Sequence, residues 1–461
     1  MTRIHMIGIG GTGLSAIARL LLEMGHTVSG SDQVSSSFTR DLQSAGIAVS
    51  IGHRKENIQD ADLVIRSSAI PDDNPEVKAA RALRIPVLKR SDFLGSLMDG
   101  KTSIAIAGTH GKTTTTSMIA WMLTELGQDP SFIIGGVMAN LGVNARAGKG
   151  KPFIIEADEY DRMFLGLKPT IEVITNIEHD HPDCYPTPAD FQAAFVEFMY
   201  LLPADGTLVA CVEDPGVRDL VIKAGKLGKR VVSYGLRSPA NASQPMDVFT
   251  IGPISNDQGG FNFNASVCGV GVRVSLQVPG IHNVQNALAA LAVAQLLGLP
   301  LDDAAKSLAN FAGTGRRFEI RGIKNDIVII DDYAHHPTEI RATLAAARAR
   351  YPSRRLWAVW QPHTYSRTRV LLKGFASAFD DADEVIVTDI YAARESREDF
   401  SSKQVVEAMS RPAHFIAGIL EVSNFLIANL LSGDVLLVLS AGDADQISTK
   451  VLAHLKEARN D

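Results

Sequence analysis

The chain has 461 residues, 46% hydrophobic and 21% charged, which excludes a single small module and a disordered chain and predicts two or three separate cores. Lys and Arg number 45 against 51 Asp and Glu, a net charge of −6. That balance excludes a general attraction to nucleic acid or to anionic membrane, so phosphate binding must be local. Cys184, Cys211 and Cys268 form no CxxC pair, which argues against a disulfide framework or thiolate zinc site and fits a reducing compartment.

The first residues, MTRIHMIGIGGTGLSAIARLLLEMG, are apolar enough to be weighed as a signal peptide, but their glycines fall inside the apolar run and only Arg3 precedes it. They read as strand, turn and helix. The weakly charged stretch from Asn283 to Leu301 is interrupted by Asn and Gln and falls short of a bilayer span. The expectation is a cytoplasmic protein without membrane insertion, monomer or homodimer.

β-branched runs at Ile4–Ile9, Thr27–Ser29, Leu63–Ile65 and Pro86–Leu88 alternate with helical patterns, the rhythm of a parallel α/β sheet. The first run opens into Gly8-Ile9-Gly10-Gly11-Thr12-Gly13, a GxGxxG turn before a helix with Leu14, Ile17, Ala18 and Leu21 at helical spacing. Gly10, Gly11, Thr12 and Gly13 would bring backbone amides against a diphosphate, and Asp32 could accept from a ribose hydroxyl. A UDP-sugar and NAD both satisfy this pattern, and close strand–helix packing alone would also explain the glycines.

A second unit begins near residue 100. Strand Ser103–Ala107 leads into Gly108-Thr109-His110-Gly111-Lys112-Thr113, with a helix expected from near Thr114. Ile106 stands where the first glycine of a full P-loop would be, so the match is to a shortened variant. Loop amides would cradle the phosphates of ATP, Lys112 would pair with their oxygens, and Thr113 would reach Mg²⁺. Glu156 ends the apolar run FIIE and could hold that ion; Asp158, Glu159 and Asp161 crowd beside it. His179 and His181 follow strand Ile171–Ile174, either as a packed pair or with one imidazole at a metal.

The stretch from Gly206 to Pro279 predicts some antiparallel strands, Asn286–Leu297 a helix, and Gly313 to Arg317 a hinge. The hinge pair Arg316 and Arg317 could close over a γ-phosphate or could be solvated. Beyond it IVIIDD, RLWAVW, DEVIVTD and DVLLVLS alternate with helical segments such as Glu339–Arg350, a third α/β unit. Asp332, Tyr333, His335, His363 and Arg367 follow strand ends there, where open α/β sheets place ligands.

Taken together, GIGGTGLSAIA, GTHGKTTTT, EADEYD, TNIEHDHPDCY, GIHNVQNALAA, GTGRRFE, DDYAHHPTE and QPHTYSRTR occur in the order of the Mur ligases, and the chain resembles that family over nearly its whole length. The resemblance implies an α/β enzyme of three domains: residues 1–100, Rossmann-like, for a UDP substrate; 101–314, P-loop ATPase-like with a mostly parallel sheet; and 315–461, Rossmann-like, for the amino acid. It implies ATP-dependent ligation of L-alanine to the lactyl carboxylate of UDP-N-acetylmuramate through an acyl phosphate, in peptidoglycan precursor synthesis. By the same resemblance Lys112 contacts the transferred phosphate, Thr113 and Glu156 hold one Mg²⁺, and His181 holds a second. Asn283 would touch adenine, Arg317 a phosphate and Asp332 the ATP ribose, while Tyr333, His335 and Arg367 would line the amino-acid site. His335 is a candidate proton acceptor. The chain departs from the commoner EADESD at Tyr160 and from QPHRF at Thr364. A ligase attaching recycled peptide to the same UDP-sugar shares much of the pattern, and a nicotinamide-dependent dehydrogenase is the reading from a different class.

Overall fold

In the computed structural model, which describes residues 2–58, 60–236, 246–257 and 259–457, three sheets succeed one another along the chain. The first holds β1 (Arg3–Ile7), β2 (Thr27–Asp32), β3 (Ala48–Ile51), β4 (Leu63–Arg66) and β5 (Val87–Lys89), all parallel, in the order β3-β2-β1-β4-β5. The strand predicted from Thr27 to Ser29 runs on to Asp32, which puts that carboxylate at the strand end beside the glycine turn.

The second sheet contains β6 (Thr102–Ala107), β7 (Ser131–Met138), β8 (Val143–Arg146), β9 (Pro152–Glu156), β10 (Ile171–Ile174), β11 (Thr207–Cys211), β12 (Arg230–Gly235), β13 (Val248–Asp257), β14 (Gly260–Val267) and β15 (Val270–Leu276). Its order is β15-β14-β13-β12-β11-β10-β6-β9-β7-β8, parallel through the middle and antiparallel at β13–β15 and between β7 and β8. The antiparallel strands expected between residues 206 and 279 are therefore β13–β15; residues 237–245 and 258 of that stretch lie outside the described residues. The helix predicted at 286–297 spans Ile281–Leu296, with every residue from Ala287 to Ala294 fully buried. Its small, unbroken apolar surface suits a helix covered on all sides.

The third sheet, β16 (Glu319–Lys324), β17 (Ile327–Asp332), β18 (Leu356–Gln361), β19 (Glu384–Val387), β20 (His414–Phe415) and β21 (Val435–Ser440), has the order β16-β17-β21-β18-β19-β20 and is parallel except for edge strand β16. Buried Val, Ile, Leu and Trp fill β17, β18 and β21 on both faces, which is why those runs read as continuous rather than alternating. Among the described residues no helix is long and apolar enough to cross a membrane.

Candidate active site

A cavity of about 1320 Å³ lies between the three sheets, lined by Thr12, Gly13 and Arg90 from the first, Lys112, Thr113, Glu156 and His181 from the second, and Arg317, His335, Arg367 and Arg394 from the third. A second cavity of about 260 Å³ opens beside it, between the phosphate loop, helix Ile281–Leu296 and the hinge.

The phosphate loop is fixed by sterics and by the following motif. Gly108 has φ +138°, and a Cβ there would sit 2.0 Å from Thr175 Oγ1; Gly111 has φ +81°. Only glycine fits both demands at residue 108. The helix begins at Lys112 rather than near Thr114, so the amides of its first turn, Thr114 included, have no helical partner and point at the loop's concavity. Asn176 holds the loop, accepting from Thr109 N through its carbonyl and from His110 N through Oδ1. The Thr109 hydroxyl donates to Glu178 O (2.7 Å) and accepts from Glu178 N (2.9 Å), so Thr109 acts as an anchor between loops.

Lys112 folds back onto its own loop, donating to Gly108 O (2.6 Å), Thr109 O (3.1 Å) and Glu159 Oε1 (3.0 Å). Burial raises the Glu159 carboxyl, but Lys112 and His181 together outweigh it and hold the group below the usual range. Glu156 goes the other way: burial pushes it up despite Lys112 and despite bonds from Thr113 Oγ1 (2.9 Å) and Gly135 N (2.6 Å). A carboxylate and a hydroxyl in contact, with the acid disfavoured as an anion, form a hard-oxygen pair suited to Mg²⁺. Asp161, expected in the same cluster, is exposed and turned out at φ 54°.

His181 lies midway along the loop after β10, its Nε2 3.6 Å from Glu159 Oε1. Arg367 donates to its Nδ1 (3.3 Å), which leaves the neutral ring's proton on Nε2, facing Glu159. In this tautomer that nitrogen is a donor, and a metal ion there would take the other one. Arg367 itself is largely committed. Its Nε and Nη2 reach the two Asp180 oxygens at 2.7 and 3.1 Å, its Nη1 meets His363 Nδ1 at 3.1 Å, and both charged side chains are buried.

At the hinge, Arg316 turns to Ser440 O (2.6 Å), whereas Arg317 faces both cavities with Nη1 3.7 Å from Glu339 Oε1. Both guanidinium groups lie over the Tyr333 ring, at 5.1 and 5.3 Å. His335 contacts Tyr333 O through Nδ1 (2.8 Å), so Nε2 carries the lone pair. Burial lowers this imidazole to about 4, which makes it available as an acceptor at neutral pH but a weak base. Asp332 accepts from Phe318 N (2.7 Å) and Ala334 N (2.8 Å) and shapes the hinge; burial raises it to about 6. Asn283 and Asn286 line the smaller cavity, Asn286 Nδ2 donating to Asn283 Oδ1 at 2.9 Å.

Between the second and third sheets, His110 bridges Glu178 (2.8 Å) and Glu339 (3.2 Å). Burial opposes its charge, but the two carboxylates outweigh burial and push it up to about 9.

In the first sheet Asp32 accepts from Gly10 N (2.9 Å), holding the glycine turn itself. Gly10 packs against that carboxylate, Gly11 is exposed, and Thr12 and Gly13 reach the large cavity. A Cβ on Gly13 would strike Arg90 Nη1 at 1.6 Å, so Gly13 admits this guanidinium directly over the turn. Arg90, Asp180, Glu178, Glu339 and Arg394 belong to the site and were not singled out from sequence; Asp180 and Glu178 stood inside a quoted motif, but Arg90 and Arg394 carry no local signal.

Three family models tile the chain: the Mur ligase family catalytic domain over residues 3–102, the Mur ligase middle domain over 106–294, and the Mur ligase glutamate ligase domain over 316–442. The UDP-N-acetylmuramate–L-alanine ligase of Geobacter sp. (strain M21) is 43% identical over 465 residues, covering 99% of this chain and 98% of the relative. That of Geobacter sulfurreducens is 43% identical over 464 residues, again covering 99% and 98%. Among solved structures, the UDP-N-acetylmuramate-alanine ligase of Thermotoga maritima superposes with a TM-score of 0.82 at 29% identity, over 99% of this chain and 100% of that one. The murein peptide ligase of Psychrobacter arcticus gives 0.73 at 26%, over 99% of each. With three sheets around one cavity, a shortened phosphate loop and full-length likeness of this degree, the chain belongs to the Mur ligase family.

Proposed function

We propose that this protein joins L-alanine to the lactyl carboxylate of UDP-N-acetylmuramate at the expense of ATP. The observation that carries the reading is the 43% identity, over 99% of the chain, to enzymes named for that reaction. The site's chemistry supports it. ATP lies with its phosphates on the amides of the first turn after Gly111 and its base in the smaller cavity near Asn283 and Asn286. The UDP-sugar diphosphate lies on the turn at Gly10–Gly13 beneath Arg90, which aims the lactyl group into the shared cavity.

An amine cannot displace the oxygen of a free carboxylate, so the carboxylate first attacks the γ-phosphoryl group, forming the acyl phosphate and ADP. Lys112 leaves Glu159 and its loop carbonyls to meet the transferred phosphate, and Arg317 supplies a second positive charge from the hinge. Thr113 and Glu156 would hold Mg²⁺, which when bound neutralises phosphate charge. An ion at His181 would require the other ring tautomer, with Arg367 releasing Nδ1. The amine of L-alanine then attacks the acyl carbon, phosphate leaves, and His335 Nε2 can take a proton only transiently because its conjugate acid is strong.

The domain roles proposed are UDP-substrate binding for residues 1–100, ATP binding for 101–314 and amino-acid binding for 315–461. The test is incubation with ATP, Mg²⁺, UDP-N-acetylmuramate and each of L-alanine, glycine and L-serine. ADP and a new amide in equal amounts with L-alanine are expected. A product only with a peptide such as the recycled tripeptide would transfer the assignment to the other ligase.

A further inference from the structure

We infer that Arg394 binds the α-carboxylate of the incoming amino acid, with Tyr160 and Asp183 as the positioning residues that fix its guanidinium plane. This rests on the amino-acid ligase reading above and names a contact that Tyr333, His335 and Arg367 do not supply.

An amino acid that delivers its amine to an acyl phosphate brings a carboxylate a few ångströms from that amine, and an apolar or neutral wall would leave the charge unpaired. The other cations around the cavity are placed for other work. Arg90 overlies Gly13, Lys112 and Arg317 flank the phosphate loop, Arg316 is bonded to Ser440 O, and Arg350 lies over the Tyr351 ring with its stem against Gly259. Arg367 is 2% exposed and neutralised by Asp180. His363 and His335 are neutral, since burial lowers them to about 2 and about 4.

Arg394 remains at the end of the cavity that holds His181 and His363. Its Nε and Nη2 both donate to Asp183 Oδ2, at 2.8 and 2.6 Å, while Nη1 has no partner among the described residues. The guanidinium carbon stands 4.1 Å from the centre of the Tyr160 ring, and Tyr160 Oη donates to the same Asp183 oxygen at 3.3 Å. Stacking on one face and a carboxylate on one edge hold the plane and leave the other edge for a ligand. The Tyr160 ring in turn lies 5.1 Å from that of His181, so the clamp adjoins the reacting end of the site. Ala393, just before the arginine, is held at φ 52°, and Glu395, just after it, accepts from Ser366 N (3.1 Å) on the helix that carries Arg367. The loop thus presents Arg394 at a fixed place.

The test is steady-state kinetics of phosphate release with L-alanine and with L-alaninamide, which lacks the charge. In wild type, L-alaninamide should be disfavoured by roughly 10- to 100-fold, the value of one charge-assisted pair. Arg394→Ala should raise KM for L-alanine by about the same factor, leave KM for ATP and UDP-N-acetylmuramate within about twofold, and abolish the discrimination. If that variant does not fold, Arg394→Lys carries the test, with an expected KM rise of roughly tenfold and weakened discrimination. Tyr160→Ser removes the stack and should raise KM for L-alanine alone, and Tyr160→Phe, which restores the ring, should recover most of that loss. An active wild type whose Arg394 variants keep both KM for L-alanine and the L-alaninamide discrimination would overturn the inference while leaving the ligase reading intact. A wild type that releases no phosphate with L-alanine would instead overturn that reading.

Discussion

Replacing Asp180 by Asn should undo the docking of the third sheet on the second before it damages either sheet. The Arg367 and Asp180 side chains are 2% and 4% exposed and meet at 2.7 and 3.1 Å. Two unit charges about 3 Å apart attract by roughly 5 kcal/mol at an effective dielectric near 20, and desolvation offsets most of that. Removing one partner is different, since it strands the other charge in a dry interface at a cost of about 3–5 kcal/mol. Asp180 sits on the loop after β10 and Arg367 on the helix Tyr365–Val370, so the cost falls on the junction between sheets. The closed-to-open ratio should fall by roughly 10² to 10³-fold, enough to populate open molecules. Small-angle scattering on the ligand-free enzyme should show a larger radius of gyration for Asp180→Asn. The double variant Asp180→Asn/Arg367→Gln should be less perturbed than the two single effects combined, because no unpaired charge remains. Arg367 overcomes burial and holds Asp180 well below the usual carboxylate range, so the pair's contribution is full above about pH 4 and persists in mild acid. An unchanged scattering curve and melting temperature in Asp180→Asn would refute the reasoning.

Lys112→Ala should lower turnover by roughly 10² to 10³-fold with the fold intact, measured by ADP formation, as for loss of one preorganised charge-stabilising donor. Glu156→Gln should raise the magnesium concentration for half-maximal rate; an unchanged magnesium titration would separate Glu156 from the ion. His110, raised to about 9, contributes its bridge fully below the ordinary histidine value near 6.5 and loses it as pH climbs through about 9. Wild type should therefore lose thermal stability between pH 7 and 10 more steeply than His110→Gln, read by calorimetry. Glu172, in β10, is fully buried with neither carboxyl oxygen paired, and burial pushes it well above the usual range. A raised carboxyl favours folding below its unfolded value near 4.5 and less so as pH rises, so Glu172→Gln should flatten the pH dependence of stability without lowering it at pH 7.5.

What was legible in the sequence is what local chemistry dictates. Gly108 and Gly111 mark the phosphate loop because backbone geometry there tolerates no Cβ, and apolar runs such as IVII announce strands buried on both faces. The motif residues stand at strand ends, and their proximity to one cavity follows from that placement. The pairings across sheets were not legible. Asp180 and Arg367 are 187 residues apart, and His110 and Glu339 are 229 apart, so no spacing rule links them. Asp32, about 20 residues after the glycine turn, fits a ribose acceptor by position, and its bond from Gly10 N is a contact that spacing alone does not supply. Arg367, placed at the amino-acid site by the family resemblance, lines the large cavity, and its pairing with Asp180 is the part that no spacing announces.

The contacts that dock the third sheet are made by neighbours of the reacting groups. His110 precedes Lys112 by two residues and grips Glu339; Asp180 precedes His181 and grips Arg367; Asp183 lies two beyond His181 and grips Arg394. Each bond that closes the cavity therefore also sets the position of a loop that meets phosphate, metal or amine. An acyl phosphate left open to water would hydrolyse, so an enzyme of this design gains by making the shielded geometry and the competent geometry the same one. Charge arranged in this way makes closure depend on the same loops that ligand phosphates and carboxylates would touch. Substrate anions that draw Lys112, Arg317 and Arg394 to themselves would complete the order that the interface bonds begin.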